Sequence, residues 1–486
     1  MGAAATAAAR AGTGATAVTA ARAATVTAAA ATAATARAAP AARGTAATAI
    51  PTGTDPLREE HRLTELGSGV RVVTESMDSV RSAALGFWIG TGSGFEDADR
   101  AGLSHLLEHM LFRGTARYGS LEIDQIFDGM GAEINAGTGK ETTSVYSRVL
   151  DVHLERAFDV MADMVWRPKI TDEDLAQERQ IVLEEIAMYE DDPQDRVFDV
   201  LGEAVFGEHP LGRAIIGTRE VVAGTPAAEL RSFHGGRYTA QNVVVAAAGS
   251  VDHDRLVELV QQTIGDPAPS GAPPAPLALP SGPVARRRFF AKETEQYHVA
   301  LGAPGIARDD DRRFALRVLD NVLGGTSSSR LFQEVREQRG LAYSVYSFTG
   351  SYAGTGQIGL YLGTRPDNVQ TAMKVVGDEL DKLLADGVTA EELERSKENV
   401  KGRVVLSLES TTSRMNRLGS SVLADMPVLT VDEVVERIDA VTRDDVATLA
   451  RELYAPDRLS AAGIGGDESV FRGALEPVSP ALADVA

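Results

Sequence analysis

The pattern of apolar and polar positions beyond residue 55 alternates between short apolar runs and longer amphipathic stretches. Short runs bounded by polar residues or glycine predict β-strands, whereas apolar positions that recur once per helical turn predict helices. On this basis, we predict strands at residues 70–73, 83–89 and 241–249, and helices around residues 121–130, 152–166 and 172–190.

The second half of the chain repeats this order. Residues 299–304 predict a strand like that at residues 83–89, and residues 314–323 predict the helix that follows it. A Gly-Thr pair follows this helix as it follows an apolar segment at residues 103–112. Aligning these pairs places Leu316, Leu319 and Asp320 opposite His105, Glu108 and His109. This pattern is expected when a domain is duplicated and one of the two copies then loses its functional residues.

A Pro-rich run between the two halves predicts a semi-rigid, extended linker rather than part of a fold. A chain of 486 residues that is 44% hydrophobic can bury the cores of at least two domains. We therefore predict a leader at residues 1–54, a catalytic domain at 55–265, a linker at 266–285, a homologous domain without a metal site at 286–472, and a tail at 473–486.

The leader consists almost entirely of Ala, Thr, Gly and Arg, with no acidic residue before Asp55. This composition buries too little apolar area to offset chain entropy, so we expect it to be disordered and dispensable. An arginine-bearing, acid-free leader is also typical of an organellar transit peptide. Upstream sequence included by a misplaced start is a third interpretation. The expected location is the bacterial cytoplasm, or an organellar matrix if the leader is a transit peptide.

Composition excludes several kinds of site and partner. The chain has no cysteine, so any metal must be held by histidine and carboxylates. A formal charge of −21 without a basic stripe argues against nucleic acid. The same charge fits either an acidic cavity for basic peptides or ordinary solubility. No apolar run of about 18 residues predicts a membrane span.

The motif His105-Leu106-Leu107-Glu108-His109 is the main candidate for chemistry. Histidines four residues apart lie on one face of a helix and leave room for one metal ion. Glu108 shares that face and could act on a water molecule beside the metal. The flanking residues are apolar, which predicts a buried helix whose polar groups need partners. The alternative is a chance pair of core histidines satisfied by hydrogen bonds.

A catalytic zinc needs three protein ligands, and the helix at residues 172–190 offers the third. Glu185 falls in the middle of its apolar face with Glu178 beside it, whereas Glu184 faces water. We predict Glu185 as a ligand and Glu178 as the group that orients a histidine. The alternative is that these glutamates pair with arginines such as Arg148 or Arg179. The remaining histidines carry no motif and are expected to be structural or exposed: His61, His153, His209, His234, His253 and His298.

With these motifs, the chain resembles the pitrilysin/insulinase family of inverted zincins, in its processing-peptidase branch. His105 to His109 match the family signature, and Glu185 lies at the family's spacing from His109. The resemblance covers roughly residues 57 to 470. Further matches are Gly131 to Ala136, Glu178-Arg179, Arg330-Leu331-Phe332 and residues 339–344.

The resemblance implies an α+β fold of two homologous domains, each a mixed or antiparallel sheet with helices packed on one side. Two such chains, as a homodimer or a heterodimer with a related chain, would form a clamshell around an acidic chamber. Arg336 and Tyr343 would grip the substrate backbone, presented by the facing subunit. An exposed strand edge would receive the peptide by β-augmentation, through Asn135, Ala136, Gly137 and Thr138.

The resulting hypothesis is a metalloendopeptidase with one zinc ion per chain, which hydrolyses short or unfolded, possibly basic, peptides. Glu108 would be the general base, and Tyr343 would share the developing oxyanion. No glycine-rich guiding loop is found, which favours a catalytic subunit over a noncatalytic one. The competing hypotheses are a catalytically silent structural relative and a metal-dependent hydrolase of a non-peptide bond.

Overall fold

The fold is taken from a computed structural model that describes residues 61–264, 270–280, 282 and 284–484. The predicted leader at residues 1–54 and part of the predicted linker lie outside these residues. Residues 270–280 form neither helix nor strand. Within the described ranges, no helix is both long enough and apolar enough to span a membrane.

A six-stranded sheet organises the first half of the chain. Its spatial order is β1-β2-β6-β3-β5-β4, with β2 and β6 parallel and the other neighbours antiparallel. The central strand β6 is Val-Val-Val-Ala-Ala-Ala-Gly and is buried throughout, as expected for a strand covered on both faces. The strands are β1 His61–Glu65, β2 Arg71–Ser76, β3 Ser82–Ile89, β4 Glu133–Thr138, β5 Thr143–Leu150 and β6 Val243–Gly249.

A five-stranded sheet organises the second half, in the order β7-β11-β8-β10-β9. Its one parallel pair, β7 and β11, corresponds to β2 and β6 of the first sheet. The predicted duplication is therefore visible in the topology, with β1 as an addition to the first copy. The strands are β7 Arg287–Ala291, β8 Tyr297–Gly305, β9 Ala342–Ser351, β10 Gly356–Thr364 and β11 Ser460–Gly465.

The helices begin and end close to the positions that the apolar pattern predicts. Helix α4 begins after Thr171, whose hydroxyl accepts the backbone N–H of Asp174 at 3.1 Å, an N-cap. The first half contains α1 Leu103–Leu111, α2 Ser120–Gly129, α3 Leu154–Trp166, α4 Asp172–Asp191, α5 Pro193–Phe206, α6 Arg219–Gly224, α7 Ala227–Arg237 and α8 His253–Ile264. The second contains α9 Arg313–Leu323, a π-helix Phe332–Glu337, α10 Val369–Asp386, α11 Ala390–Ser407, α12 Thr411–Leu423, α13 Val431–Asp439, α14 Arg443–Leu453, α15 Glu468–Leu475 and α16 Pro480–Asp484.

The two halves exchange one helix each. Most helices of a half pack on one face of its own sheet, as predicted. The other face of the first sheet is covered by α12 through Met415, Leu418 and Val422. The other face of the second sheet is covered by α5, with Leu201 and Val205 against Tyr361 and neighbouring residues. Each core is therefore completed by the opposite half of the chain.

A buried ion-pair cluster strengthens this exchange. Glu75 of β2 is only 2% exposed and pairs with Arg414 and Arg417 of α12, the second at 2.9 Å. A buried carboxylate is tolerated where cations satisfy it, so this cluster fixes how α12 lies on the first sheet.

Residues of the predicted tail at 473–486 pack against the second half of the chain. Leu475, Val478 and Leu482 are buried in the core of the second half. Burial of apolar side chains stabilises by roughly 25 cal/mol per Å², which holds α15 and α16 against this core. The predicted domain boundaries stay predictions.

Candidate metal centre

Helix α1 is anchored at its N-terminus by a carboxylate outside the helix. Its first residue follows Gly102, whose φ of 107° favours glycine. The oxygens of Glu96 accept the backbone N–H groups of Gly102 at 2.8 Å and Ser104 at 2.6 Å. Burial raises the pKa of Glu96 to about 7, although these hydrogen bonds and Arg213 oppose the rise. The anchor satisfies N–H groups that a helix start leaves unpaired.

Three donor side chains converge beside this helix. His105 and His109 project from α1 with their ring centroids 4.8 Å apart, and Glu185 reaches them from α4. Oε2 of Glu185 lies 3.8 Å from Nε2 of His105 and 3.4 Å from Nε2 of His109. In tetrahedral zinc sites with bonds of about 2.0–2.2 Å, donor atoms are separated by about 3.3–3.6 Å, so one of these distances lies within that range and the other is slightly longer. Two histidine nitrogens and a carboxylate oxygen are donor types that zinc takes, so the chemistry of the set fits zinc. Among the described residues, this is the group that could hold a metal ion.

The place of each glutamate on α4 agrees with the helical geometry. Glu185 is 4% exposed and Glu178 is 5% exposed, whereas Glu184 is exposed. Met188, three residues after Glu185 on the same helix, is 59% exposed. Met188 therefore lies at the edge of the apolar face of α4, next to solvent.

Glu178 contacts the second histidine rather than the metal position. Its Oε2 lies 3.0 Å from Nδ1 of His109, and its Oε1 pairs with Nε of Arg113. This contact leaves Nε2 of His109 directed toward Glu185. Burial alone would lower the pKa of His109, but Glu178 and Glu185 raise it to about 10. The arginine that pairs with Glu178 is thus Arg113, and Arg179, one of the two anticipated partners, donates instead to the backbone carbonyls of Val222 and Thr225.

Glu108 lies on the same helix and is also buried. Its Oε2 accepts a hydrogen bond from the hydroxyl of Thr138 at 2.5 Å. Burial raises the pKa of Glu108, opposed by the nearby charge of His109 and by this hydrogen bond. A carboxyl group with a raised pKa can both accept and return a proton nearer neutral pH.

Strand β4 carries the four residues that the resemblance assigns to the substrate. It is an edge strand, paired on one side only, with β5. Asn135 and Gly137 are partly exposed, whereas Ala136 and Thr138 are buried. The free edge offers backbone groups for an added strand, but the hydroxyl of Thr138 is already engaged with Glu108.

Arg336 and Tyr343 contact each other in the second half, with the guanidinium 4.5 Å from the centroid of the Tyr343 ring. Tyr343 is the second residue of the edge strand β9, and it is 74% exposed. Arg336 also contacts Phe332 and Glu337, which lie in the second half as well. The structure thus joins the two residues to each other within the second half.

Sequence reasoning missed Arg113, Glu96 and the hydrogen bond of Thr138. Arg113 lies four residues after His109, and that spacing could have suggested a shared partner. Glu96 and Thr138 lie on other elements than the motif, so no local spacing indicates them.

The model of the insulinase family, peptidase family M16, matches residues 71–219, and that of the peptidase M16 inactive domain matches residues 226–400. The chain is 45% identical over 401 residues to an uncharacterized zinc protease of Streptomyces coelicolor, covering 81% of this chain and 87% of that protein. It is 42% identical over 390 residues to the uncharacterized zinc protease YmxG of Bacillus subtilis, covering 80% and 95%.

Two solved structures share the fold. The peptidase M16 inactive domain from Pseudomonas fluorescens superposes with a TM-score of 0.78 at 25% identity, covering 84% of this chain and 98% of that one. A protease from Helicobacter pylori gives a TM-score of 0.78 at 20% identity, covering 84% and 99%. These likenesses confirm the predicted two-domain α+β architecture.

Proposed function

The chain belongs to the insulinase family, peptidase family M16, and from this premise we propose that it is a zinc-dependent endopeptidase. The observation that carries the proposal is the convergence of His105, His109 and Glu185 within 4.8 Å, with Glu108 on the same helix. Several relatives are named as zinc proteases. All three donor residues lie outside residues 226–400, which the inactive-domain model matches.

His105, His109 and Glu185 would hold one zinc ion per chain, and Glu178 would fix the ring of His109. When bound, zinc would act as a Lewis acid that makes water acidic enough to serve as a nucleophile near neutral pH. Glu108 then accepts a proton from the attacking water and returns it to the leaving amine. The intact set of four residues argues against a catalytically silent relative.

The substrate would be a short or unfolded peptide. The free edge of β4, including Asn135, allows a peptide to add as a strand beside the metal helix. This mode requires an extended backbone, which a folded protein does not present. It also favours a peptide bond over another hydrolysable bond, because backbone groups make the contacts.

We place Arg336 and Tyr343 at the substrate backbone, contributed by a second chain in a dimer. Tyr343 is exposed and lies near the start of the edge strand β9, which suits a residue that acts across an interface. The contact between Arg336 and Tyr343 would hold both side chains in position before a substrate binds. The partner would be a second copy or a related chain.

The decisive experiment measures zinc and cleavage together on the full-length protein. Purified wild type should contain one zinc per chain and cut unfolded peptides at internal bonds, with products mapped by mass spectrometry. Glu108→Gln should retain the zinc and lose roughly 10²- to 10⁴-fold in kcat. Cleavage by Glu108→Gln at the wild-type rate would remove Glu108 as the base. Wild type without bound zinc and without cleavage would overturn the proposed function.

A further inference from the structure

Thr138 and Glu108 form a buried contact between the edge strand β4 and the metal helix. The Thr138 hydroxyl donates to Oε2 of Glu108 at 2.5 Å, and the two residues are 30 positions apart in the chain. Both are at least nine-tenths buried. The next acceptor, the backbone carbonyl of Ser104, lies at 3.5 Å, so the carboxylate is the closer partner.

Threonine suits this position physically. Its branched β-carbon restricts χ1, and β4 fixes its backbone through pairing with β5. A carboxylate on a flexible side chain loses rotational freedom when one oxygen is bonded to so rigid a donor. The bond therefore determines where the proton-accepting oxygens of Glu108 lie.

The end of β4 is itself attached to the second half of the chain. The β4–β5 turn contains Glu141, which is 8% exposed in its side chain and pairs with Arg308. Glu141 also accepts the backbone N–H of Ala353 at 3.1 Å. Arg308 and Ala353 both belong to the second half, so the turn bridges the two halves only three residues after Thr138.

The same turn is also attached to the first half. The backbone N–H of Ser93 donates to Gly139 at 3.1 Å, and that of Gly94 donates to Lys140 at 2.7 Å. The strand end that carries Thr138 is thus held on two sides. A turn anchored in this way has little freedom to shift relative to α1.

We propose that Thr138 is a positioning residue for Glu108, and that Glu141 holds it in place by fixing the turn against the second half. The proposal rests on the proposed function, since it assigns how the general base is oriented. It also gives the metal-free half a role in the chemistry of the metal-binding half. One edge strand would then both receive the peptide and orient the base that acts on it.

A matched set of variants tests the first part. Thr138→Val preserves shape but removes the donor, and should lower kcat about 10- to 100-fold, the usual effect of losing an orienting partner. KM and zinc content should stay unchanged, and Thr138→Ser should restore most of the rate. Thr143→Val is the control, since Thr143 is equally buried and directly opposite Thr138, but its hydroxyl donates to the backbone of Thr91 at 3.0 Å. A crystal structure of each variant should show the Glu108 carboxylate displaced in Thr138→Val alone.

A coupling measurement tests the second part. Glu141→Gln should lower kcat in the wild-type background but cause no further loss in Thr138→Val, because both changes act on the same contact. Additive losses would show that Glu141 does not act through Thr138. Equal kcat in Thr138→Val and wild type, or equal losses in Thr138→Val and Thr143→Val, would overturn the positioning role while leaving the peptidase assignment intact. If wild type and Glu108→Gln cleave at the same rate, Glu108 is not the base and this inference fails, whereas the proposed function itself fails only if wild type neither binds zinc nor cleaves peptides.

Discussion

The Nδ1 atom of His109 lies 3.0 Å from a carboxylate oxygen of Glu178, on the side of the ring away from Glu185. Glu178→Gln should therefore weaken zinc binding about 10- to 100-fold, the usual cost of removing an orienting partner. The measurement is competition for zinc with a chelator of known affinity. Glu184→Gln is the control, because it lies on the same helix and is exposed. Equal affinities for the two variants would contradict this role for Glu178.

The anchor at Glu96 should make stability depend on pH in a particular direction. Its pKa is about 7 in the folded chain against an ordinary value of 4.5, so the folded state binds the proton more tightly. Its contribution to stability is complete below pH 4.5 and is lost as pH rises through 7. The loss corresponds to about 3 kcal/mol for this buried group.

The side chain of Gln does not titrate in Glu96→Gln, so comparing the wild type with this variant isolates the contribution of Glu96. The free energy of unfolding of both proteins is measured in urea from pH 4.5 to 8. As the pH rises over this range, the wild type should lose stability relative to the variant. Parallel pH curves would show that Glu96 is not proton-linked to folding.

The ion-pair cluster at Glu75 should be worth far more than an exposed pair. Glu75→Ala leaves Arg414 and Arg417 without their carboxylate, which should cost about 3–5 kcal/mol. Asp254→Ala breaks the ion pair with Arg62, in which both side chains are exposed, and should change the free energy of unfolding little. Urea midpoints of both variants give the comparison. Similar small losses would mean that the cluster does not hold the two halves together.

Mixing two inactive variants tests whether Arg336 and Tyr343 act from a second chain. Glu108→Gln and Tyr343→Phe should each be impaired alone. If the site is shared between chains, a mixed dimer contains one site with an intact Glu108 and an intact Tyr343, and activity returns on mixing. If each chain supplies its own tyrosine, no combination is intact and the mixture stays inactive. Different affinity tags on the two variants, purified in sequence, check that mixed dimers form.

Local periodicity was enough to single out three donor side chains, His105, His109 and Glu185, that the structure brings together. The helical repeat separates Glu185 from Glu184, and the structure buries the first and exposes the second. The same reasoning brought out Glu178. The family resemblance is confirmed by the comparisons, and the duplication that the Gly-Thr ends suggested is visible in the two strand orders.

Contacts between distant elements could not be predicted in this way. Arg113 pairs with Glu178 because α1 and α4 happen to cross there, and the hydroxyl of Thr138 reaches Glu108 from another strand. An amphipathic helix such as α5 or α12 buries one face, but its sequence does not say against which sheet that face packs. The apolar residues beyond 472 were overlooked because they form two short helices rather than one long periodic segment.

The exchange of α5 and α12 has a consequence for how the polypeptide comes apart. Neither sheet is covered on both faces until the opposite half has folded, so the two halves should melt in a single cooperative transition. A protease cut within residues 270–280 would divide the backbone but not the molecule, because each fragment would still carry the helix that closes the other's core. The duplicated domains have thus become mutually dependent, and neither one could be lost without exposing an apolar sheet to water.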